Sequence, residues 1–323
     1  MTPQARARTL ADQIAYVALA SSDPVATCTL FQRHFGLPRT EFSSPEGAVP
    51  LFALGRSALA VFPLGHGMLD AEPGAEAKPG VNHIAFGVDD IDAAAAFAVQ
   101  AGVSREGKSA AGLEGRKCLR LSRASTLGVR TRLTGRVDLV SRSDAAVERI
   151  DHIGVASSDV FEDERVFSGQ LGFPVESRQT DMEISLAVES FTSDKYGVIY
   201  HNRQPEPVGG LRVTFISVGD CELEFLANFN PRQGAQIVHG QAGTTKQDQG
   251  AITRFVDSRG RGLHHVALKV CDIESTLAGM AQAGLPMIDV KGRPGSRRAL
   301  IGFPHPRATG GILMHLVQRE SAA

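Results

Sequence analysis

Four segments of the sequence repeat one pattern, in which a short apolar run ends in Ser or Asp and a stretch of helical character follows. These segments are residues 14–23, 81–91, 151–159 and 262–273. One constant spacing relates Tyr16 to His152 and Gly36 to Gly172, which aligns the third segment with the first. Repeats at a fixed spacing indicate that related units of structure follow one another along the chain.

A second constant spacing relates His83 to His265 and Gly102 to Gly284, which aligns the fourth segment with the second. Each segment combines a strand-like run with a helix and further strands, so the chain contains four βαβββ modules arranged as two pairs. We therefore predict an α+β fold with two domains, one in residues 1–145 and one in residues 146–323.

The spacing between the second and fourth segments is longer than the spacing between the first and third. Inserted residues therefore lie in the third module and after it, between 178 and 207 and between 228 and 260. Within the first insertion, apolar and polar residues alternate along two neighbouring stretches, with apolar residues at Ile184, Leu186 and Val188, then at Tyr196, Val198 and Tyr200. Such alternation is typical of strands, so we predict an extra hairpin within residues 180–204. We also expect this hairpin to cover the functional site and to influence substrate choice.

The composition excludes several classes of protein. A length of 323 residues with 42% hydrophobic residues is enough for a large core, and the net charge of -1 indicates no basic surface for nucleic acid. The four cysteines are scattered and form no CxxC pair, which argues against a disulfide framework or a cysteine zinc site. Neither a membrane span nor a secretory signal is predicted, so we expect a cytoplasmic protein.

The strands that open the third and fourth modules each carry a histidine beside small residues. Alternate side chains of a strand share a face, so His152 shares its face with Gly154 and Ala156, and His265 shares its face with Ala267. The opposite faces are apolar and suit a core. We therefore predict a pocket on the histidine side of both strands.

Several runs of the sequence carry a family resemblance. They include DHIGVASSD at residues 151–159, HHVALKVCDI at residues 264–273 and the runs at residues 252–255, 259–265, 303–306 and 309–313. Through these runs nearly the whole chain resembles the vicinal oxygen chelate superfamily, and its second half is most similar to methylmalonyl-CoA epimerase. The resemblance implies paired modules whose curved mixed sheets form a cup around a divalent metal ion. Glyoxalases, 4-hydroxyphenylpyruvate dioxygenase and extradiol dioxygenases resemble the chain more loosely.

The resemblance also implies a set of metal ligands. Carried over residue by residue, the ligand positions of the family fall on His152, Glu224, His265 and His315. The last position departs from the family pattern, because the epimerase and the dioxygenases carry Glu where this chain has His315. Three imidazoles and one carboxylate suit a borderline divalent ion such as Zn, Co, Mn, Ni or Fe(II).

The matching positions in residues 1–145 are Tyr16, Ala60, His83 and Arg132. One histidine beside an alanine and an arginine is not a ligand set for a divalent cation. We therefore predict that the first domain is a degenerate, metal-free copy in which His83 makes ordinary hydrogen bonds.

The resemblance leaves several candidates for the general base. The other acid–base glutamate of the epimerase aligns with Val208, and Glu206 lies two residues before that position. Glu206, His201 in the inserted hairpin and the ligand Glu224 are the candidates. A base must come within about 3 Å of the proton that it removes.

A basic loop formed by Arg293, Arg297 and Arg298 precedes the last strands. The corresponding region of the epimerase lies near its CoA ester, whereas loops of this composition are also common on solvated surfaces. Both interpretations of the loop remain open at this point.

Three functions remain for a chain that binds a small-molecule substrate beside such an ion. The first, which the epimerase resemblance favours, is an isomerase, epimerase or lyase that stabilises an enolate of an acyl-CoA, thioester or keto acid. The second is an Fe(II) dioxygenase of the extradiol or 4-hydroxyphenylpyruvate dioxygenase type, which requires two histidines, one carboxylate and open positions. The third is a non-catalytic small-molecule binding protein, against which four ligand-type residues argue. Each function is compatible with a homodimer.

Overall fold

The computed structural model describes residues 9–72, 74–142, 144–229 and 250–319. The strands of the first half are β1 (Ile14–Ser21), β2 (Arg39–Ser44), β3 (Gly47–Leu54), β4 (Ser57–Pro63), β5 (Gly80–Val88), β6 (Arg105–Ala111), β7 (Lys117–Leu121) and β8 (Thr131–Gly135). They form one sheet in the order β2-β3-β4-β1-β5-β8-β7-β6. At its centre β1 and β5 are antiparallel, while β4 runs parallel to β1 and β8 runs parallel to β5.

The second half repeats this arrangement. Its strands are β9 (Val147–Ala156), β10 (Val175–Ser185), β11 (Val188–Ser193), β12 (Gly197–Asn202), β13 (Glu206–Val218), β14 (Cys221–Phe229), β15 (Gly262–Val270), β16 (Arg293–Pro294), β17 (Leu300–Gly302) and β18 (Met314–Gln318). Eight of them form a sheet in the order β10-β13-β14-β9-β15-β18-β17-β16, again with an antiparallel central pair. The matching orders confirm the predicted α+β fold of four modules in two paired domains.

The α-helices of the described residues are α1 (Pro24–Thr29), α2 (Ile91–Gln100), α3 (Val160–Glu164), α4 (Ala251–Arg259) and α5 (Ile273–Gln282). The repeated aspartates Asp23, Asp90, Asp159 and Asp272 are the N-caps of α1, α2, α3 and α5, where each side chain accepts a backbone N–H of the first turn. The Asp that ends each repeated segment therefore starts a helix. None of the helices in the described residues is long and apolar enough to cross a bilayer.

The extra hairpin predicted within residues 180–204 is confirmed. β11 and β12 pair antiparallel and form a two-stranded sheet separate from the two large sheets. Large apolar side chains of this hairpin are exposed, Phe191 and Tyr200 among them. Of the second predicted insertion, residues 230–249 lie outside the described residues, and α4 follows them.

The main core is continuous between the two sheets. It contains alternate residues of the central strands, such as Val17 in the first sheet and Ile153 and Val266 in the second. The rings of Phe86 and Phe173, one from each half, lie 5.2 Å apart between their centroids. Since one face of each central strand is packed into this core, the residues that alternate with it point to the opposite face. The histidines of the second half lie on that face.

Candidate metal centre

Four side chains converge on the face of the second sheet that points away from the main core, and each comes from a different strand at the centre of the sheet. The strands β14, β9, β15 and β18 are consecutive neighbours, and they carry Glu224, His152, His265 and His315 in that order. Each of the four residues is at most 7% exposed. The repeated modules bring equivalent strand positions together, because the central strands of both modules belong to one sheet.

The donor atoms of these side chains lie close enough together to bind a single ion. One nitrogen each from His152, His265 and His315 lie within 4.8 Å of one another. Oε2 of Glu224 lies 3.3 Å from Nε2 of His152 and 3.4 Å from Nε2 of His265. The carboxylate therefore faces the same point as the imidazoles.

Three of these nitrogens are buried without a hydrogen-bond partner among the described residues: Nε2 of His152, Nε2 of His265 and Nδ1 of His315. A buried polar atom without a partner is costly, so three in one place indicate that something else satisfies them. A divalent cation fits, because imidazole nitrogens and a carboxylate oxygen are the donors that Zn, Fe, Co, Ni and Mn accept.

Two of the histidines are oriented by their sequence neighbours. Nδ1 of His152 donates to Oδ1 of Asp151 at 2.8 Å, and Asp151 is held in turn by Arg319 at 2.5 Å. Nδ1 of His265 lies 3.0 Å from Nδ1 of His264. In both cases the partner contacts Nδ1 and leaves Nε2 available to bind an ion, as is usual for histidines that bind metals.

Electrostatics favour the deprotonated state of two of the imidazoles. Burial lowers the pKa of His265 and of His315, so both are neutral at pH 7 and can donate a lone pair. Burial also lowers the pKa of His152, but the charges of Glu224 and Asp151 outweigh it and raise the pKa to about 9. For Glu224, burial is outweighed by the nearby His152, and the pKa of this carboxyl lies well below its usual range.

Small residues make room for the histidines. In the sheet register Gly154 lies between Glu224 on β14 and His265 on β15. A Cβ built on Gly154 would overlap the imidazole ring of His265. The predicted pocket on the histidine face therefore depends on the absence of a side chain at position 154.

A cavity of about 300 Å³, which we call the metal cavity, opens beside the four ligand-type residues. Its walls are mostly apolar, with Leu226, Ile252, Ile301, Phe303, Leu313 and Val317 among them. Glu224 is the only acidic residue among the described lining residues, and Arg293 and Arg319 each contribute a guanidinium group.

The other two candidate bases do not lie at this cavity. His201 is exposed on β12, where its ring contacts Phe191, and Glu206 is exposed at the start of β13. Neither is among the residues that line the cavity. The inserted hairpin forms its own two-stranded sheet, and of the three candidate bases only Glu224 is among the described residues that line this cavity.

The basic loop is divided between two environments. Arg293 lines the metal cavity and lies 3.1 Å from Asp289. Arg297 instead stacks on Phe215 at 3.6 Å and pairs with Glu222. One arginine of the loop therefore faces the site, and another stabilises the sheet beside it.

Sequence analysis did not identify Asp151, His264 or Arg319 as part of the site. Asp151 and His264 immediately precede His152 and His265 in the sequence, and this adjacency was the available signal. Arg319 has no comparable signal, because only folding brings it to Asp151.

The equivalent positions of the first sheet are packed differently. The ring of Tyr16 contacts His83 edge-on, and Nδ1 of His83 lies 2.9 Å from Oδ1 of Asn82. Arg132 pairs with Asp70 at 2.8 Å. Tyr16, Ala60, His83 and Arg132 thus present a phenol, a methyl group, an imidazole and a guanidinium. These groups are not a ligand set for a cation.

Comparison with known proteins places this architecture in a family. Two profiles of the glyoxalase/bleomycin resistance protein/dioxygenase superfamily match the chain, one over residues 151–303 and one over residues 13–110. An uncharacterised protein of Bacillus subtilis is 23% identical over 172 residues, which cover 53% of this chain and 93% of that protein. Mitochondrial methylmalonyl-CoA epimerase of Mus musculus is 23% identical over 130 residues, which cover 40% of this chain and 64% of that enzyme.

One solved structure shares the fold over nearly the whole chain. A substituted 4-hydroxymandelate synthase from Streptomyces coelicolor covers 97% of this chain and 94% of its own, with a TM-score of 0.58 and 16% identity. A substituted methylmalonyl-CoA epimerase from the same organism covers 55% of this chain and 97% of its own, with a TM-score of 0.36 and 20% identity. Since the two superfamily profiles together span most of the sequence, the chain belongs to the glyoxalase/bleomycin resistance protein/dioxygenase superfamily.

Proposed function

We propose that this protein is a divalent-metal-dependent isomerase, epimerase or lyase that removes a proton next to a carbonyl group. His152, Glu224, His265 and His315 would hold the ion. When bound, the ion would act as a Lewis acid that makes the C–H next to a substrate carbonyl more acidic. The superfamily includes both epimerases and dioxygenases, so the choice between them depends on the residues of this site.

The number of ligand-type residues is the observation that carries the proposal. Four protein ligands would leave an ion fewer open positions than three would, which suits one substrate that binds without a second molecule beside it. Extradiol cleavage uses a triad of two histidines and one carboxylate, which leaves positions for both a catechol and oxygen. Convergence of His315 with the other three residues therefore favours chemistry without oxygen.

Glu224 is our candidate for the base. It is the one carboxylate among the described residues that line the cavity, and its Oε2 faces His152 and His265. Its Oε1 would accept the substrate proton. We assign His264 the role of proton donor. If His265 binds the ion through Nε2, its Nδ1–H donates to Nδ1 of His264. The proton of His264 is then on Nε2, where it can be donated.

The cavity also indicates the kind of substrate. Its volume of about 300 Å³ suits the reacting part of a small acid or acyl thioester, and its apolar walls exclude water from that part. Arg293 supplies a positive charge at the wall, which favours a substrate carboxylate. A keto acid or a 2-methyl acyl-CoA ester meets these requirements, and the similarity to the mouse epimerase supports the second class.

The test is proton exchange in deuterated water. Protein reconstituted with Zn, Co or Mn is incubated with a panel of 2-methyl acyl-CoA esters and keto acids, and α-deuterium is measured by mass spectrometry. We expect incorporation into at least one substrate, and its loss in the Glu224→Gln variant when compared at equal metal content.

Three results would contradict the proposal. Oxygen uptake with a catechol by the Fe(II)-loaded protein, without exchange into the panel, would favour the dioxygenase. Tight binding of substrates without exchange or turnover would favour a binding protein. Full exchange by the Glu224→Gln variant at equal metal content would exclude Glu224 as the base.

A further inference from the structure

A second cavity, of about 410 Å³, lies between the two halves of the chain. We call it the seam cavity. The first half contributes residues between 70 and 82 and the segment that includes Arg123 and Arg130. The second half contributes α4 with Phe255 and Arg259, and the start of β15. None of the four ligand-type residues lines it, and it shares only His264 and Leu313 with the metal cavity among the described lining residues.

Close packing of two backbone segments forms one wall of the seam cavity. Gly128 in the first half and Gly262 in the second both line it, and both have positive φ angles, of 93° and 151°. A Cβ on Gly262 would lie 2.9 Å from the carbonyl oxygen of Gly128. The two segments therefore touch through their main chains, which gives the cavity a fixed shape.

Positive charge exceeds negative charge around this cavity. Its described lining residues include five cations, Lys78, Arg123, Arg130, Arg259 and Arg261, and three acids, Asp70, Glu72 and Glu76. Asp70 is already paired with Arg120 at 3.1 Å and with Arg132 at 2.8 Å, and neither of these arginines lines the cavity. Arg261 is likewise paired with Glu162 and Asp163, which lie outside the cavity. Lys78, Arg123, Arg130 and Arg259 then face Glu72 and Glu76.

Two of the cations share one carboxylate. Arg123 lies 3.0 Å from Oε1 of Glu72, and Arg130 lies 3.6 Å from the same atom. Burial lowers the pKa of Arg130, and the charge of Arg123 lowers it further. An anion in the cavity would relieve the repulsion between these guanidinium groups.

The remaining side chains combine a charge with apolar surface. Arg259 lies over the ring of Phe255, with its Cζ 5.5 Å from the ring centroid. Leu263 and Leu313 line the same cavity. The volume falls within the range of about 300 to 1,000 Å³ that is usual for small-molecule sites.

We propose that the seam cavity is a second binding site, for a small organic anion that carries a phosphate or carboxylate group on an apolar body. Arg123, Arg130 and Arg259 contact the anionic group, and Phe255, Leu263 and Leu313 contact the body. The site does not depend on the proposed metal ion, because it contains none of the four ligand-type residues, although His264 lies on the wall between the two cavities.

The test uses phenyl phosphate and benzoate as probes, which distinguish the two anionic groups. Binding to the full-length, metal-stripped protein is measured by isothermal titration calorimetry. We expect saturable binding of at least one probe, weakened about tenfold or more in Arg259→Gln and in Arg130→Gln, because a charge-assisted contact is lost. Arg259 is exposed, so its replacement leaves the fold intact.

Two variants serve as controls. Arg142→Gln removes an exposed arginine that pairs with Asp144 and does not line the cavity, and His152→Ala disables the metal centre. Both should bind the probe with unchanged affinity. The proposal is overturned if neither probe binds, if Arg142→Gln weakens binding as much as Arg259→Gln, or if His152→Ala abolishes binding.

Discussion

Asp151 accepts a hydrogen bond from Nδ1 of the adjacent His152 at 2.8 Å, and this contact orients the imidazole toward Glu224. The two side chains of neighbouring strand residues meet although strand alternation would place them on opposite faces. Arg319 completes the arrangement by pairing with Asp151 at 2.5 Å. If His152 binds the proposed ion, Asp151 acts through this imidazole and not on the substrate, as outer-shell partners of metal-binding histidines do.

The charge around His152 predicts a pH dependence of metal binding. Burial lowers the pKa of this imidazole, but Glu224 and Asp151 raise it to about 9 in the metal-free protein. Since Nε2 must lose its proton before it binds an ion, protons compete with the metal at every pH below that value. We expect the apparent affinity to rise about tenfold per pH unit between about pH 6 and 8, with about one proton released per ion.

Calorimetry in buffers of different ionisation enthalpy measures the proton release directly. His265 and His315 should contribute less to it than His152, because burial lowers the pKa of both. An affinity that does not change with pH, together with no proton release, would contradict the assignment of His152 as a ligand.

Replacement of single histidines should show which half of the chain binds the metal. We expect His152→Ala or His265→Ala to lower metal affinity by more than the roughly 10–100-fold loss that is typical of outer-shell changes. His83→Ala should leave the metal content per folded chain unchanged, because His83 lies beside Tyr16 and Asn82 in the first sheet. Elemental analysis of the three purified variants tests this, and equal metal loss in all three would refute it.

Gly154 should be essential for metal binding although it offers no donor atom. A methyl group at this position would overlap the buried ring of His265, so we expect Gly154→Ala to lose metal nearly as fully as His265→Ala. Gly169→Ala is the matched control, since a Cβ there meets nothing within 4 Å. If metal content were normal in Gly154→Ala, the inferred position of the His265 ring would be incorrect.

The inserted hairpin can be removed without disturbing the large sheet. The backbone N–H of Arg203 donates to the carbonyl of Ala187 at 2.9 Å, so a short turn can replace residues 188–202. We expect unchanged metal content, because none of these residues lines the metal cavity, and a broader substrate range if the hairpin covers the site. The same kinetics across a substrate panel as in the full chain would exclude a lid role.

The module pattern was predictable because it is local and repeated. Alternation along each strand and the Asp at the end of each repeated segment are short-range features, and four copies at constant spacings reveal them. The repeat singled out the strands of His152 and His265, and the family resemblance added Glu224 and His315 as the other ligand-type residues. These four residues do converge in the structure.

Other features of the site depend on contacts that no repeat describes. Glu206 and His201 belong to an insertion without a counterpart in the other modules, so sequence alignment could not place them, and both are exposed and absent from the described lining of the metal cavity. Arg319 reaches Asp151 only through the packing of the last strand.

The amino-acid sequence by itself determined the four modules and their pairing, because strand alternation and helix capping act over a few residues, and its resemblance to a family indicated the ligand-type residues. Only the tertiary structure decided which side chain orients each histidine, which carboxylate lines the cavity and that a second, cationic cavity exists. The seam cavity shows the reason most clearly. Arg130 and Arg259 are far apart in the sequence, and they line one space only because the two halves pack against each other.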